Sequence, residues 1–316
     1  MAFNIAIAFF LPGISIDTGR KKDMKFNKLF VGLLSLSLVS TLFSCGGNGS
    51  SELTIVHFDQ TILGDTQKDL GVSIGVKKGN TEFKNKLNDA LSLLTTEERN
   101  QLMTEAVDRS TGNYETSKSL IYSVPTENTL GTIVVGLECN YAPFNWTDNK
   151  ANEFNYPIKG QSGLYAEGYD IQVARYLANK LNYGLEVVSL GWEGLIPALN
   201  AGTINVVIAG MTDTEERRQE IDFTNEYYIS ELVLIVKKDS KLASATSLED
   251  FRGTKIVSQV STVTDDVIET WESEYDVTHL NPLDTFATCA IAVQNGSADA
   301  MTAELPVANS IVNGSR

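Results

Sequence analysis

From Thr132 onward, short apolar runs alternate with stretches of helical period. TIVVGLE (Thr132 to Glu138) predicts a strand. Between Gly168 and Asn182, Ile171, Ala174, Leu177, Ala178 and Leu181 recur at three- and four-residue spacing, which predicts an amphipathic helix. Strand 186–190, helix 193–200 and strand 204–209 follow, so the order is β-α-β-α-β and calls for a parallel sheet covered on both faces. Residues 144–168, rich in Asn and Gly, read as a long rim loop. After the strand LVLIVKK (Leu232 to Lys238) comes a second alternation: short helix 247–253, strand 254–260, helices 262–275 and 283–296, strand 298–303 and helix 305–312. No strand follows that helix, so the second sheet is expected to be one strand short.

Ahead of Thr132, ELTIVHF (Glu52 to Phe58) and GVSIGVK (Gly71 to Lys77) read as strands. Phe83, Leu87, Ala90, Leu91 and Leu94 then mark a helix, and Thr95 with Glu98 forms a capping box that starts a second helix to about Asp108. Residues 110–130 have no clear period and carry Gly112 and Pro125, as a linker does. Earlier still, Met24 to Cys45 combines two lysines, an apolar run from Leu29 to Phe43 and the sequence Leu-Phe-Ser-Cys. This reads as a secretory signal peptide, the run being too short for an ordinary membrane span. GGNGSS at residues 46–51 reads as a flexible tether. Residues 1–23 are an extension ahead of the signal, which a misassigned start at Met1 explains.

Composition narrows the function. Hydrophobic residues at 42% and aromatics at 9% suit two lobes with cores of their own. Removing residues 1–44 takes away five Lys/Arg and two Asp/Glu, which moves the net charge from −15 to −18. Phosphate binding needs a basic face, so a nucleic-acid partner is excluded. Beyond Cys45, Cys139 and Cys289 make no disulfide framework, and His57 and His279 are isolated. Neither a metal site nor a cofactor is expected.

Candidate chemistry concentrates in GMTDTEERRQEIDFTNEYY (Gly210 to Tyr228). Gly210 to Thr214 is placed in a loop at a strand's carboxyl end, where open α/β sheets bind ligands. Thr212 and Thr214 offer hydroxyls and N–H groups, and Arg217 offers a planar fork of donors suited to a carboxylate. On these residues alone a solvated helix start remains the alternative.

Six segments together decide between them: ECNYAPF (Glu138 to Phe144), GYDIQVARYLANKL (Gly168 to Leu181), Gly191 to Thr224, LEDFRGTKIVSQVST (Leu248 to Thr262), NGSADAMTAELPVA (Asn295 to Ala308) and VSIGVKKGN (Val72 to Asn80). Over nearly all of the chain after the signal they resemble family 3 of the bacterial solute-binding proteins, the amino-acid-binding components of ABC importers. The resemblance implies a type II periplasmic-binding-protein fold: two Rossmann-like α/β lobes joined by two crossing strands, the ligand held between them. One departure is in the order, because VSIGVKKGN and its helices come last in that family and first here. A circularly permuted chain is therefore expected, with residues 52–65 in lobe 2, 71–109 in lobe 1, 110–130 joining the old ends, 131–239 forming most of lobe 1 and 240–316 most of lobe 2. Asn-Gly-Ser on both sides of the break, at Asn48 to Ser50 and Asn313 to Ser315, suggests a repeat recombined within a tandem gene, or a window on a longer tandem protein.

Carried over by motif, the resemblance implies that Arg217 pairs with the ligand α-carboxylate, helped by Thr212, with Arg218 the competing candidate. Ser261, where the family usually has Gly, and Thr262 open a helix whose N–H groups reach the same carboxylate. Glu304 accepts the α-ammonium together with the Gly210 carbonyl, and Tyr141 and Trp192 sandwich the side chain. Glu138 stands where relatives that bind basic or amide side chains have an acid, which points to a polar or basic amino acid. Asp170 and Asp222 read as caps or lobe contacts. Leu42 to Cys45 resembles a lipobox, implying diacylation of Cys45 and a lipid anchor on the extracytoplasmic face of the cell membrane, beside an ABC permease. A receptor is thus expected, the alternatives being an enzyme like cyclohexadienyl dehydratase and a permuted relic that binds nothing.

Overall fold

The computed structural model describes residues 52–63, 70–117 and 121–314. The signal peptide, Cys45 and the tether lie outside them. In chain order come β1 (Leu53–Val56), β2 (Gly71–Lys77), α1 (Thr81–Ser92), α2 (Thr96–Ser110), β3 (Thr132–Leu137), β4 (Asn140–Tyr141), β5 (Asn145–Asp148), β6 (Tyr156–Pro157), β7 (Tyr165–Glu167) and α3 (Tyr169–Leu181). Then follow β8 (Gly184–Ser189), α4 (Leu195–Ala201), β9 (Val206–Val207), α5 (Glu215–Glu220), β10 (Ile221–Ile229) and β11 (Leu232–Lys237). The last are β12 (Lys255–Val257), α6 (Val263–Tyr275), β13 (Thr278–His279), α7 (Phe286–Asn295), β14 (Ala300–Glu304) and α8 (Leu305–Val312).

Lobe 1 is built on a sheet in the order β10-β2-β9-β3-β8. Its β3, β8 and β9 run parallel, while β2 pairs antiparallel with both β9 and β10, so the sheet is mixed. Residues Gly71 to Val76 of β2 are buried throughout. Small residues at Gly71, Ser73 and Gly75 allow this: a Cβ on Gly75 would lie 3.0 Å from Ile221 Cδ1. Lobe 2 has the order β1-β11-β14-β12-β13, with β14, β12 and β13 parallel and β11 and β1 antiparallel at one side. β1 is thus an edge strand of the second sheet. Phe58 follows it into the lobe 2 core, edge-on to Trp271 at 5.6 Å.

Two sequence expectations are corrected. Leu232–Lys237 belongs to the second sheet, pairing with β1 and β14, although a boundary at 239 put it in lobe 1. The chain crosses between lobes at Ser230 and Glu231, where no glycine or proline marks the change. The rim loop at 144–168 contains β5, β6 and β7, which form a small antiparallel sheet with β4. These strands have two to four residues, too few for alternation to show.

The segment ahead of the linker docks on lobe 1 through a buried charge cluster. Arg109, fully buried on α2, donates from Nε to Glu167 Oε1 (3.1 Å) and lies 4.5 Å over the Phe154 ring. Beside it the Ser110 and Ser310 hydroxyls meet at 2.7 Å, joining α2 to α8.

Gly168 sets the start of α3. Its φ is +127°, and a Cβ there would lie 2.3 Å from the Phe144 carbonyl oxygen, which the Asp170 N–H fixes at 2.8 Å. Gly168→Ala is expected to lower stability by about 3 kcal/mol or more, measured as a shift in urea midpoint without a change in slope.

Candidate functional site

The carboxyl ends of β3, β9, β12 and β14 converge where the lobes meet; loops after the first three carry site residues, and β14 runs directly into α8. Glu138 follows β3, Gly210 and Thr212 follow β9, Gln259 to Thr262 follow β12, and Glu304 ends β14. Three of these turns use left-handed backbone, at Cys139 (φ 59°), Gly210 (φ 60°) and Ser261 (φ 59°). Gly210 has a steric reason as well: a Cβ would lie 2.7 Å from the Tyr141 ring.

Each candidate side chain has a partner in the cleft. Thr214 caps α5, its hydroxyl accepting from the Arg217 N–H, which turns the Arg217 side chain back toward β9. Arg217 Nη1 donates to Thr212 O (2.8 Å) and Oγ1 (2.6 Å), and Nη2 donates across to Ser261 O (2.9 Å) in lobe 2. Arg218 instead pairs with Asp213 at 2.7 Å, which resolves the choice of arginine facing the cleft. Trp192 Nε1 also donates to Ser261 O, and its ring lies under the Arg217 guanidinium at 5.2 Å. Tyr141 OH donates to Glu304 Oε2 (2.6 Å), and Gln259 Nε2 donates to Glu138 Oε1 (3.0 Å). The bonds from Arg217 and Trp192 to Ser261 O, from Tyr141 to Glu304 and from Gln259 to Glu138 cross between the lobes, and the other contacts stay within lobe 1.

Tyr141 stacks with Phe144 (5.1 Å) and Phe286 (5.0 Å), whereas Trp192 pairs with Arg217. Phe286 at the start of α7 and Gln259 are site residues that motif reading passed over. Gln259 sits inside VSQVST and carries no charge to draw attention.

Burial dominates the electrostatics. It pushes the Glu138 carboxyl up to about 7, only partly offset by the Gln259 hydrogen bond. It also raises Glu304, against the lowering effects of the Tyr141 hydroxyl and of Arg217. Arg217 is lowered by burial and raised by Asp266, Glu216 and Glu304. The Cys139 thiol is driven up to about 12 by burial, which makes it inert.

Eight of the nine residues expected at the site (Glu138, Tyr141, Trp192, Gly210, Thr212, Arg217, Thr262 and Glu304) line one cavity of about 20 Å³. The ninth, Ser261, closes it through its carbonyl. Glu138 also borders a more open cavity of about 460 Å³, whose wall holds the carboxyls of Glu138, Glu193 and Asp284 and, among the described residues, no lysine or arginine. Among the described residues, no group of three or more His, Cys, Asp or Glu could hold a metal ion.

Ser261 bears a Cβ in a left-handed conformation that costs about 1 to 2 kcal/mol outside glycine. Its Oγ recovers only a 3.3 Å hydrogen bond to Glu193. Ser261→Gly is expected to raise stability by about 0.5 to 1 kcal/mol, read from chemical denaturation.

The family model for bacterial extracellular solute-binding proteins, family 3, matches residues 133–308, more than half of the chain. The chain belongs to this family. Among relatives of this family 3 protein, the arginine-binding extracellular protein ArtP of Bacillus subtilis is 28% identical over 143 residues, covering 45% of this chain and 49% of its own. A probable histidine-binding protein of Campylobacter jejuni is 36% identical, covering 43% and 47%. The glutamine-binding protein of Geobacillus stearothermophilus is 32% identical, covering 47% and 56%. The chain spans about half the length of the curated relatives it matches. Membership accords with the two-lobed mixed α/β architecture, that of a type II periplasmic binding protein.

Proposed function

We propose that this protein is an extracytoplasmic receptor that closes its lobes on a polar or basic L-amino acid and hands it to an ABC importer permease. The observation that carries the reading is that a guanidinium, Arg217, and a carboxyl, Glu304, line one cavity between the lobes. That pair complements an α-carboxylate and an α-ammonium, the groups every amino acid shares. Ser261 and Thr262 contribute from the start of α6, and Thr212 and Gly210 from the loop after β9. Glu138, half-buried with a neutral hydrogen-bond partner and sharing a cavity wall with Glu193 and Asp284, favours a side chain that brings a donor or a cation. The named relatives are arginine-, histidine- and glutamine-binding proteins, which accords with that range.

Entry requires the lobes to part. The ligand then replaces the bonds from Arg217 to Ser261, Tyr141 to Glu304 and Gln259 to Glu138, and the lobes turn about the crossing at Ser230–Glu231. Circular permutation belongs to the same reading. Its support is that the family match ends at residue 308 while β1 and β2, from before residue 132, add strands to the two sheets it covers. Glu52 and Gly314 also line one groove, so the old connection is short. Lipidation of Cys45 would hold the receptor at the membrane surface.

A second reading has one observation in its favour: a carboxyl near 7 suits general acid–base catalysis. Product from arogenate or prephenate would establish it. Thermal unfolding of the full chain against all common amino acids, ornithine and citrulline tests the receptor reading. A ligand at about a hundred times its dissociation constant adds roughly 2.7 kcal/mol. A midpoint shift confined to polar or basic amino acids is expected; a cooperative transition that none of them moves overturns the proposal and leaves a folded relic.

A further inference from the structure

Asp170, the second residue of α3, is fully buried and lies outside the cavity it serves. Its two carboxyl oxygens each accept one hydrogen bond from a neutral group. Oδ1 accepts from Tyr227 OH at 2.7 Å, and Oδ2 accepts from Asn145 Nδ2 at 2.8 Å. Each donor passes the connection on to a loop of the site. The Tyr227 hydroxyl accepts from the Gly210 N–H at 3.0 Å, and Asn145 Oδ1 accepts from the Cys139 N–H at 2.6 Å. Gly210 and Cys139 are two of the three left-handed residues that turn the strands into their binding loops. Cys139 lies between Glu138 and Asn140, and Gly210 lies two residues before Thr212.

We infer that Asp170 is the positioning residue of the lobe 1 half-site, setting the Glu138–Tyr141 loop through Asn145 and the Gly210–Thr212 loop through Tyr227. A residue that only capped α3 would have no need of both arms. A buried carboxyl held by neutral donors alone is costly, and burial pushes Asp170 up to about 7. Asparagine is the obvious cheaper substitute, but its amide offers one acceptor and a competing donor where two acceptors are used. The rest of the surroundings fixes the hub itself: the Asp170 N–H donates to Phe144 O (2.8 Å), and Tyr169 OH donates to Tyr227 O (2.9 Å). Loops held in their binding geometry beforehand spare the ligand the free energy of ordering them.

The inference is tested in the full chain by two selective labels. The sequence has three cysteines, so ¹⁵N-cysteine gives three backbone amide resonances, and Ala-Gly occurs only at residues 201–202 and 209–210, so ¹³C-alanine with ¹⁵N-glycine isolates Gly210 beside Gly202. Asp170→Asn is expected to shift both the Cys139 and the Gly210 amides, leaving Cys289 and Gly202 in place. Tyr227→Phe should move Gly210 alone and Asn145→Ala should move Cys139 alone, so the arms are separable even where Asp170→Asn fails to fold. An arm variant that leaves its own amide unmoved overturns the inference.

A second measurement rests on the receptor reading. L-Arginine affinity should fall at least about tenfold in Tyr227→Phe. It should stay within about twofold in Tyr176→Phe, which removes another buried lobe 1 hydroxyl, bonded to Ala90 O at 2.9 Å, and touches neither loop. Equal losses in the two variants would reduce Asp170 and Tyr227 to structural roles. Where the wild-type chain ignores L-arginine, the comparison is made with the polar or basic amino acid that shifts its thermal midpoint, and the amide shifts decide the hub in either case.

Discussion

Arg217→Ala is expected to abolish capture, weakening L-arginine binding by about 10²- to 10³-fold in calorimetric titration. Among the described residues, the guanidinium is the one cation lining the central cavity. Without it an α-carboxylate would enter a closing cleft with hydroxyl and backbone donors only, and a buried, under-paired charge costs about 3 to 5 kcal/mol. The side chain is already oriented for the task, with Nη1 held by both acceptors of Thr212 and the guanidinium stacked on Trp192. Arg217→Lys keeps the charge and loses the fork, so an intermediate loss is expected. The unliganded protein should lose little stability, because the substitution removes a half-buried side chain and a cation–π contact of about 0.5 to 2 kcal/mol. Binding by Arg217→Ala within about threefold of wild type would mean that the carboxylate sits elsewhere.

Much of this site was legible because strand ends and helix starts are where sequence is most explicit. The Thr95 capping box and the bounds of α8 follow from local rules, and each is found as expected, whereas α3 is buried on every side from Tyr169 to Ala178 and not only on the face that its spacing predicts. Spacing from Met211 and Thr214 favours Arg217 over Arg218, and the structure adds that Arg218 turns to Asp213. What escaped the sequence is set by contacts between distant segments. The strands of the small sheet are too short to carry a period, and Leu232–Lys237 reads the same whichever sheet it joins. Gln259 is a neutral residue whose importance comes from reaching Glu138, 121 residues away. Asp170 looked like a helix cap because its partners, Tyr227 and Asn145, are brought to it only by the fold.

The affinity for L-arginine is expected to rise with pH up to about 7 and then level off, and Glu138→Gln should flatten that profile. Glu138 is near 7 in the folded protein against an ordinary 4.5, because burial penalises its charged form. A cationic side chain favours the ionised carboxylate, so below 7 the carboxyl must lose its proton on binding, and affinity falls by up to about tenfold per pH unit. Stability of the unliganded protein runs the opposite way. Between 4.5 and 7 the folded state binds the proton that the unfolded state has released, so unfolding free energy declines as pH rises, by roughly 3 kcal/mol in total. Glu138→Gln removes that decline and should raise the thermal midpoint at pH 8 while having little effect at pH 4.5. Asp170, also near 7, leaves a residual decline in the variant. The same profile separates the ligand classes. A neutral amide side chain can donate to the ionised carboxylate or accept from the protonated carboxyl, so L-glutamine affinity should change little through 7. A slope for L-arginine with none for L-glutamine would place the side chain against Glu138, and parallel slopes would remove Glu138 from the binding surface.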